Sequence, residues 1–327
     1  MNNMGAELIG KLDSDDGVAD AARVSMAKQA SNFTSEENAK LMRYLAGAKH
    51  WSPYGHQRDI FRVSIEDEDW LKFLENAQLA GFSFYRGIDE NLERERYVYL
   101  SGSLWAWYEN LGWLPREVRE DIIFALGVKY PVASKIFWPQ GVTPEHIRGG
   151  YASLANHLPV SILTAGVHYL TFRLKGPISL ARQLVKHQVH LCWNEESRRY
   201  IIEPVEFYQP ELRARAPKIK QGSKDELIDR HELYDEDVRL HYQECAMLYE
   251  RLLEANVAPE CARNVLPIGS VTNWVWTGSL TAWHRVCRQR MDGHAQKEAQ
   301  FVAGQINDAI AELYPDTWQE LWQQYEL

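Results

Sequence analysis

Two short runs alternate between opposite faces with a period of two: Ile60-Phe61-Arg62-Val63-Ser64-Ile65 and Tyr169-Leu170-Thr171-Phe172-Arg173-Leu174. That period is the signature of a half-buried strand. The chain between and after them reads largely as helix, so any fold must combine both periods. Thr34-Ser35-Glu36-Glu37 reads as a capping box, opening a helix whose stripe is Leu41, Met42 and Leu45 and which ends near Gly47. His50 to His56 is a loop. Residues 66–168 read as mostly helical, with breaks near Pro115, Pro131, Pro139 and Pro144. Pro177 opens a helix through about Val189, because proline suits a first turn. Helices are expected at about 225–256 and 279–312, after a basic, proline-containing loop at 209–224.

The length of 327 residues allows one large domain or two small ones. A formal net charge of −9 argues against a protein that coats nucleic acid, which needs a basic surface. A local basic pocket for a small phosphorylated ligand stays open. The four cysteines, Cys192, Cys245, Cys261 and Cys287, form no CxxC pair and no zinc-like spacing with histidine. Reduced thiols and no metal are expected. The start, MNNMGAELIGKLDSDDG, lacks a basic region followed by an apolar one, and no run of 18 apolar residues occurs. A cytoplasmic protein without a membrane span is expected.

Residues 182–200, RQLVKHQVHLCWNEESRRY, are locally basic in an acidic chain. On a helix, Gln183, His187 and His190 would share a face. Taken alone, such a cluster is more often a solvated surface. The run Asn194 to Tyr200 resists that reading, because carboxylate, hydroxyl and guanidinium groups crowd into seven residues. That set suits a ligand with an amide-like edge and a phosphate. A second basic stretch runs from Arg263 to Arg285, Arg288, Arg290 and His294. If one helix covered its end, Arg290 would share a face with His294 and with Lys297.

These segments resemble the flavin-dependent thymidylate synthases. That family's signature is Arg-His-Arg, seven residues, then Ser, ending in Ser-x-Arg-Tyr with Asn-Glu inside. Here stand Lys186-His187-Gln188, eight residues, Ser197, with Asn194-Glu195 and Arg199-Tyr200 in order. Ala22-Arg23-x-Ser25, His50-x-x-Pro53-x-x-His56, Ala262-Arg263, Leu266-Pro267, Trp276-Thr277 and Arg290-x-x-x-His294-Ala295-Gln296 agree as well. The matched blocks cover about residues 18–65 and 169–312. No block within residues 66–168 is placed against the family, and the segment reads as a mostly helical insertion between two sheet strands. Lys186 and Gln188 replace arginines, Gly55 replaces a glutamate, and Ser279 and Thr281 stand where the family has Asn and Arg.

The resemblance implies a single α+β catalytic domain over 1–327, a mixed or antiparallel sheet flanked by long helices, assembled as a homotetramer. It implies reductive methylation of dUMP using methylenetetrahydrofolate, FAD and NADPH, with no enzyme nucleophile on the pyrimidine. Arg290, Arg199 and Ser197 are the implied catalytic residues. Gln183, Glu195, Glu196, Ser197, Arg198, Arg199, Arg263 and Arg290 would bind dUMP. Ser25, His50, Ser52, Lys186, His187, Gln188, Ser279 and His294 would bind FAD, which no GxGxxG motif is present to hold. Cys192, flanked by Leu191 and Trp193, reads as a packing residue. Two alternatives stay open: a C5 hydroxymethylase or dCMP-acting enzyme on the same fold, and a nucleotide-binding protein without catalysis.

Overall fold

The computed structural model describes residues 4–10, 12, 14–65, 70–80, 82–88, 96–139, 152–155, 158–201, 203–216 and 223–324. The N-terminal half holds β1 (Gly5–Gly10), α1 (Asp15–Arg23), α2 (Ser35–Gly47), β2 (Arg58–Ile65), α3 (Trp70–Leu79), β3 (Ser83–Ile88), β4 (Arg96–Ser103), α4 (Leu104–Glu109), α5 (Arg116–Lys129), α6 (Pro131–Phe137) and β5 (Ala152–Leu154). The C-terminal half holds β6 (Tyr169–Pro177), α7 (Ile178–Leu184), β7 (Leu191–Glu195), β8 (Arg213–Arg215), β9 (Ser223–Leu227), α8 (His231–Glu254), α9 (Pro259–Ala262), β10 (Val271–Ser279), α10 (Leu280–Arg290), α11 (Lys297–Leu313) and α12 (Pro315–Gln324). The fold is α+β, and every strand pairing among the described residues is antiparallel.

Two four-stranded sheets carry the molecule, in the orders β1-β6-β10-β7 and β3-β4-β2-β5. Each has its own apolar core. Trp274, Trp276, Trp283 and Phe172 are buried in the first. Phe61, Trp107, Leu100 and Tyr130 are buried in the second, together with Val18 of α1 and Met42 of α2. The expected strand near 60–65 therefore does not share a sheet with β6. It pairs with β4 and β5, which lie between residues 66 and 168. Helices α3 to α6 also lie in that segment. The breaks expected at Pro115 and Pro131 coincide with the starts of α5 and α6. The one near Pro144, and residues 217–222 of the basic loop, fall outside the described residues.

Local chemistry explains several boundaries. The capping box of α2 forms: Glu37 N donates to Thr34 Oγ1 at 3.3 Å, and Thr34 N donates to Glu37 Oε2 at 2.8 Å. Asp15 caps a different helix, accepting from Val132 N at 2.8 Å and Ala133 N at 3.0 Å, and so ties α1 to α6. Other boundaries correct the sequence reading. The helix after Pro177 ends at Leu184 rather than Val189, because the chain must turn back to enter β7 beside β10. His190 makes that turn with a left-handed φ of 59°. Gln183, His187 and His190 therefore do not share a helix face. The long helix expected at 279–312 is two, α10 and α11, separated by Met291 to Gln296. Residues 223–227 form a strand, and α8 starts at His231. No helix among the described residues is long and apolar enough to cross a membrane.

Candidate active site

β10 is the floor. It pairs with β6 on one side and β7 on the other, so the Asn194-Glu195 end of β7 lies beside Trp274 and Val275. Where β7 leaves the sheet, a cleft of about 400 Å³ opens between the start of α7, the Glu195–Ile201 segment and the turn after α9. Arg182, Arg198 and Arg263 line it together with Glu195 and Glu196. Both carboxylates are held from β10. Glu195 accepts from Thr272 Oγ1 at 3.1 Å and from the Trp193 indole N–H at 3.2 Å. Glu196 accepts from the Asn273 amide at 2.8 Å and from its backbone N–H at 3.2 Å. Burial pushes both carboxyls up from their ordinary values, and these hydrogen bonds oppose the push.

Arg198 is positioned by its donation to the carbonyls of Glu203 at 2.5 Å and Pro204 at 3.4 Å. Arg182 and Arg263 form no ion pair among the described residues, so two guanidinium groups remain for an anion. The segment is anchored by Ser25, whose hydroxyl donates to Glu195 O at 3.1 Å while its carbonyl accepts from Ser197 N at 3.1 Å. Asn194 is likewise fixed, its amide donating to Ala21 O at 2.6 Å. The Asn-Glu pair is thus held by α1 as well as by the sheet.

A second cluster gathers at the end of α10. Arg290 Nε donates to His187 Nε2 at 2.9 Å, and Nη2 donates to Gln183 O at 3.3 Å. His187 is therefore the Nδ1–H tautomer. Burial, with Arg290 and Arg285 nearby, lowers its pKa to about 4, so it orients Arg290 as a neutral acceptor. Arg285 donates to Val189 O at 3.0 Å and holds the same turn. Arg199 lies in the open: its Nε donates to Ser197 Oγ at 3.3 Å and its guanidinium sits 5.2 Å from the Tyr200 ring.

The residues expected at the flavin are scattered in one chain. Lys186, Gln188, His50 and Ser52 are exposed. The 186–192 turn and the 50–56 loop are fastened by Cys192, whose Sγ donates to Ser52 O at 3.5 Å. Ser279 is engaged within the protein. It is fully buried and caps α10, accepting from Ala282 N at 3.2 Å. His294 does not share a face with Arg290, because it sits in the exposed turn after α10, 3.4 Å from Asp292. Burial raises the Cys192 pKa to about 11, leaving it an inert thiol. Among the described residues no cluster of His, Cys, Asp and Glu is arranged to hold a metal ion.

Sequence reasoning missed Arg182, Thr272 and Asn273 as lining and supporting groups. Arg182 was legible in the basic segment. The other two were hidden with β10 itself, whose sequence does not alternate because both its faces are buried.

Residues 119–316 match the model of the family described as thymidylate synthase complementing protein. The flavin-dependent thymidylate synthase of Aquifex aeolicus is 27% identical over 318 residues, covering 91% of this chain and 95% of that one. The enzyme of the same name from Treponema denticola is 37% identical over 134 residues, 39% of this chain and 50% of that protein. One from Thermus thermophilus is 36% identical over 148 residues, 45% and 54% respectively. These last two matches span about half the length of each relative. Among solved structures, a UMP/dUMP methylase PolB from Streptomyces cacaoi bound with 5-Br dUMP covers 98% of this chain and 95% of that one. Its TM-score is 0.45 at 20% identity, a likeness too slight to argue from.

Proposed function

This chain belongs to the thymidylate synthase complementing protein family, and on that premise we propose that it is a flavin-dependent thymidylate synthase, converting dUMP to dTMP with methylenetetrahydrofolate, FAD and NADPH. The observation that carries this reading is the cleft that Arg182, Arg198 and Arg263 line together with Glu195 and Glu196. Guanidinium forks suit a nucleotide phosphate, and fixed carboxylates suit ribose hydroxyls or the pyrimidine N–H. Arg290 is preorganised by neutral His187 to hold the uracil edge and to stabilise negative charge developing there. Exposed Arg199 and half-buried Ser197, beside the cleft, would complete the nucleotide contacts. Cys192 takes no part as a nucleophile.

The donor set around the 186–190 turn fits a flavin and its diphosphate. Lys186, Arg285 and Arg290 supply positive charge, Gln188 adds an amide in the turn, and His50 and Ser52 add hydrogen-bonding groups from the adjoining loop. FAD would supply the reducing equivalents there. Val189 and Met291 lie exposed at this turn, Ile268 and Tyr200 lie exposed by the nucleotide cleft, and α8 exposes Leu233, Leu240 and Met247 seven residues apart. These apolar surfaces support self-association, with a homotetramer closing the flavin site between subunits in the cytoplasm.

The test is an assay of the purified protein with FAD, NADPH and methylenetetrahydrofolate, its products from dUMP and dCMP resolved by mass. A methylated dUMP product is expected. A hydroxymethyl product, turnover of dCMP alone, or a protein that binds no flavin would overturn the reading.

A further inference from the structure

A second cavity, of about 300 Å³, lies between the two sheets and shares no lining residue with the nucleotide cleft. Its polar wall comes from the start of β2, from Lys129 at the end of α5, and from β6 and β10. Three of these side chains each carry one buried polar atom without a hydrogen-bond partner. His56 is 1% exposed. Its Nδ1 shares a hydrogen bond of 2.8 Å with Thr277 Oγ1, which continues at 2.8 Å to Thr171, but its Nε2 has no partner. Asp59 is 2% exposed. Its Oδ1 accepts from the Lys129 ammonium at 2.6 Å, while its Oδ2 has no partner. Arg58 carries an unpartnered buried Nε, and its guanidinium lies 4.3 Å from the Tyr169 ring.

The charges do not balance. Among the described lining residues Arg58 and Lys129 stand against Asp59 alone, and Arg58 forms no ion pair among the described residues. His56 adds none, because burial and the neighbouring Arg58 hold its pKa at about 3. Ordered water could satisfy the orphaned polar atoms, but would leave a partly buried positive charge uncompensated. Ile60, Leu158, Val160 and Val167 supply apolar wall for a carbon skeleton. The Lys129 side chain is 23% exposed, so solvent reaches the cavity there.

We propose that this inter-sheet cavity is a second binding site, for a small oxyanion that also carries a hydroxyl. The anion sits against Arg58, and the hydroxyl donates to Asp59 Oδ2 or His56 Nε2. The occupant is small, because the cavity lies at the lower limit of ligand-pocket volumes.

The experiment is calorimetric titration of the full chain with glycerate. Propionate, which has the charge without the hydroxyl, and glycerol, which has the hydroxyl without the charge, are the controls. Glycerate is expected to bind at least about tenfold more tightly than either control, and Arg58→Gln to weaken it by about tenfold or more. Arg263→Ala, which alters the nucleotide cleft, should leave glycerate binding intact; loss of binding there would place the anion in the cleft and overturn the proposal. A crystal of the wild-type chain soaked in glycerate serves if Arg58→Gln fails to fold. Glycerate density bridging Arg58 and Asp59 supports the site, and ordered water alone overturns it.

Discussion

Gly55 stands where the related enzymes' motif has glutamate, and the structure gives a steric reason that can be measured. A Cβ built on Gly55 would lie 2.6 Å from Cys192 Sγ but 3.7 Å from Cys192 Cβ. The obstruction is thus the sulfur alone. Gly55 does not have a positive φ, so alanine there brings no backbone strain. Gly55→Ala should therefore destabilise the protein by overpacking, about 1–3 kcal/mol. Cys192→Ala removes the sulfur and leaves a small gap, costing about 1 kcal/mol. In the Cys192→Ala background the alanine at 55 meets only ordinary contacts. It also reduces the freedom of the unfolded chain, so it should be neutral or stabilising by about 0.4–1 kcal/mol. The cycle thus predicts a coupling of roughly 1–4 kcal/mol between two residues 137 apart in sequence. Urea unfolding of the wild type, both single variants and the double variant measures it. Additive effects would show that the sulfur is not the obstruction. The same Cys192→Ala protein tests the chemistry. With a thiol pKa of about 11, only about one molecule in ten thousand is thiolate at pH 7. Flavin-loaded Cys192→Ala should turn over normally, and a folded but inactive variant would revive a thiol mechanism.

Three further outcomes are expected. Arg290→Ala should lower turnover by roughly two orders of magnitude or more, and should raise the His187 pKa from about 4 by removing a nearby cation; near-normal turnover removes Arg290 from the catalytic set. Stability should fall as pH drops from about 6.5 to about 4. His56, His187 and His284 have folded pKa values of about 3, 4 and 4, so the unfolded chain takes up protons first. The raised carboxyls of Asp15, Glu195 and Glu196 act in the opposite direction. His187→Gln should flatten the slope of the urea midpoint against pH, and an unchanged slope refutes the assignment. Gln188→Arg should not improve the enzyme, because Arg285 and Arg290 already stand at that turn. Tighter FAD binding together with faster turnover would show Gln188 to be a tolerated loss.

Local chemistry made part of this protein legible without a fold. The Thr34 capping box, the strands around 60–65 and 169–174, and the crowded Asn194–Tyr200 run depend on neighbours in sequence. What escaped depends on neighbours in space. β10 joins the nucleotide segment to the sheet, yet it is buried on both faces and carries no alternation to announce a strand. The helices after Pro177 and Ser279 end earlier than their composition suggests. Tertiary pairing demands a turn at His190 into β7, and α10 stops where Arg290 meets His187 and Gln183. The motif named Glu195, Arg198 and Arg263, but only packing put them in one cleft with Arg182 and tied both carboxylates to β10. Residue types are fixed by sequence. Which guanidinium groups face an anion, and which hydroxyls, such as that of Ser279, are spent on a helix end, is decided by contacts between segments far apart in the chain.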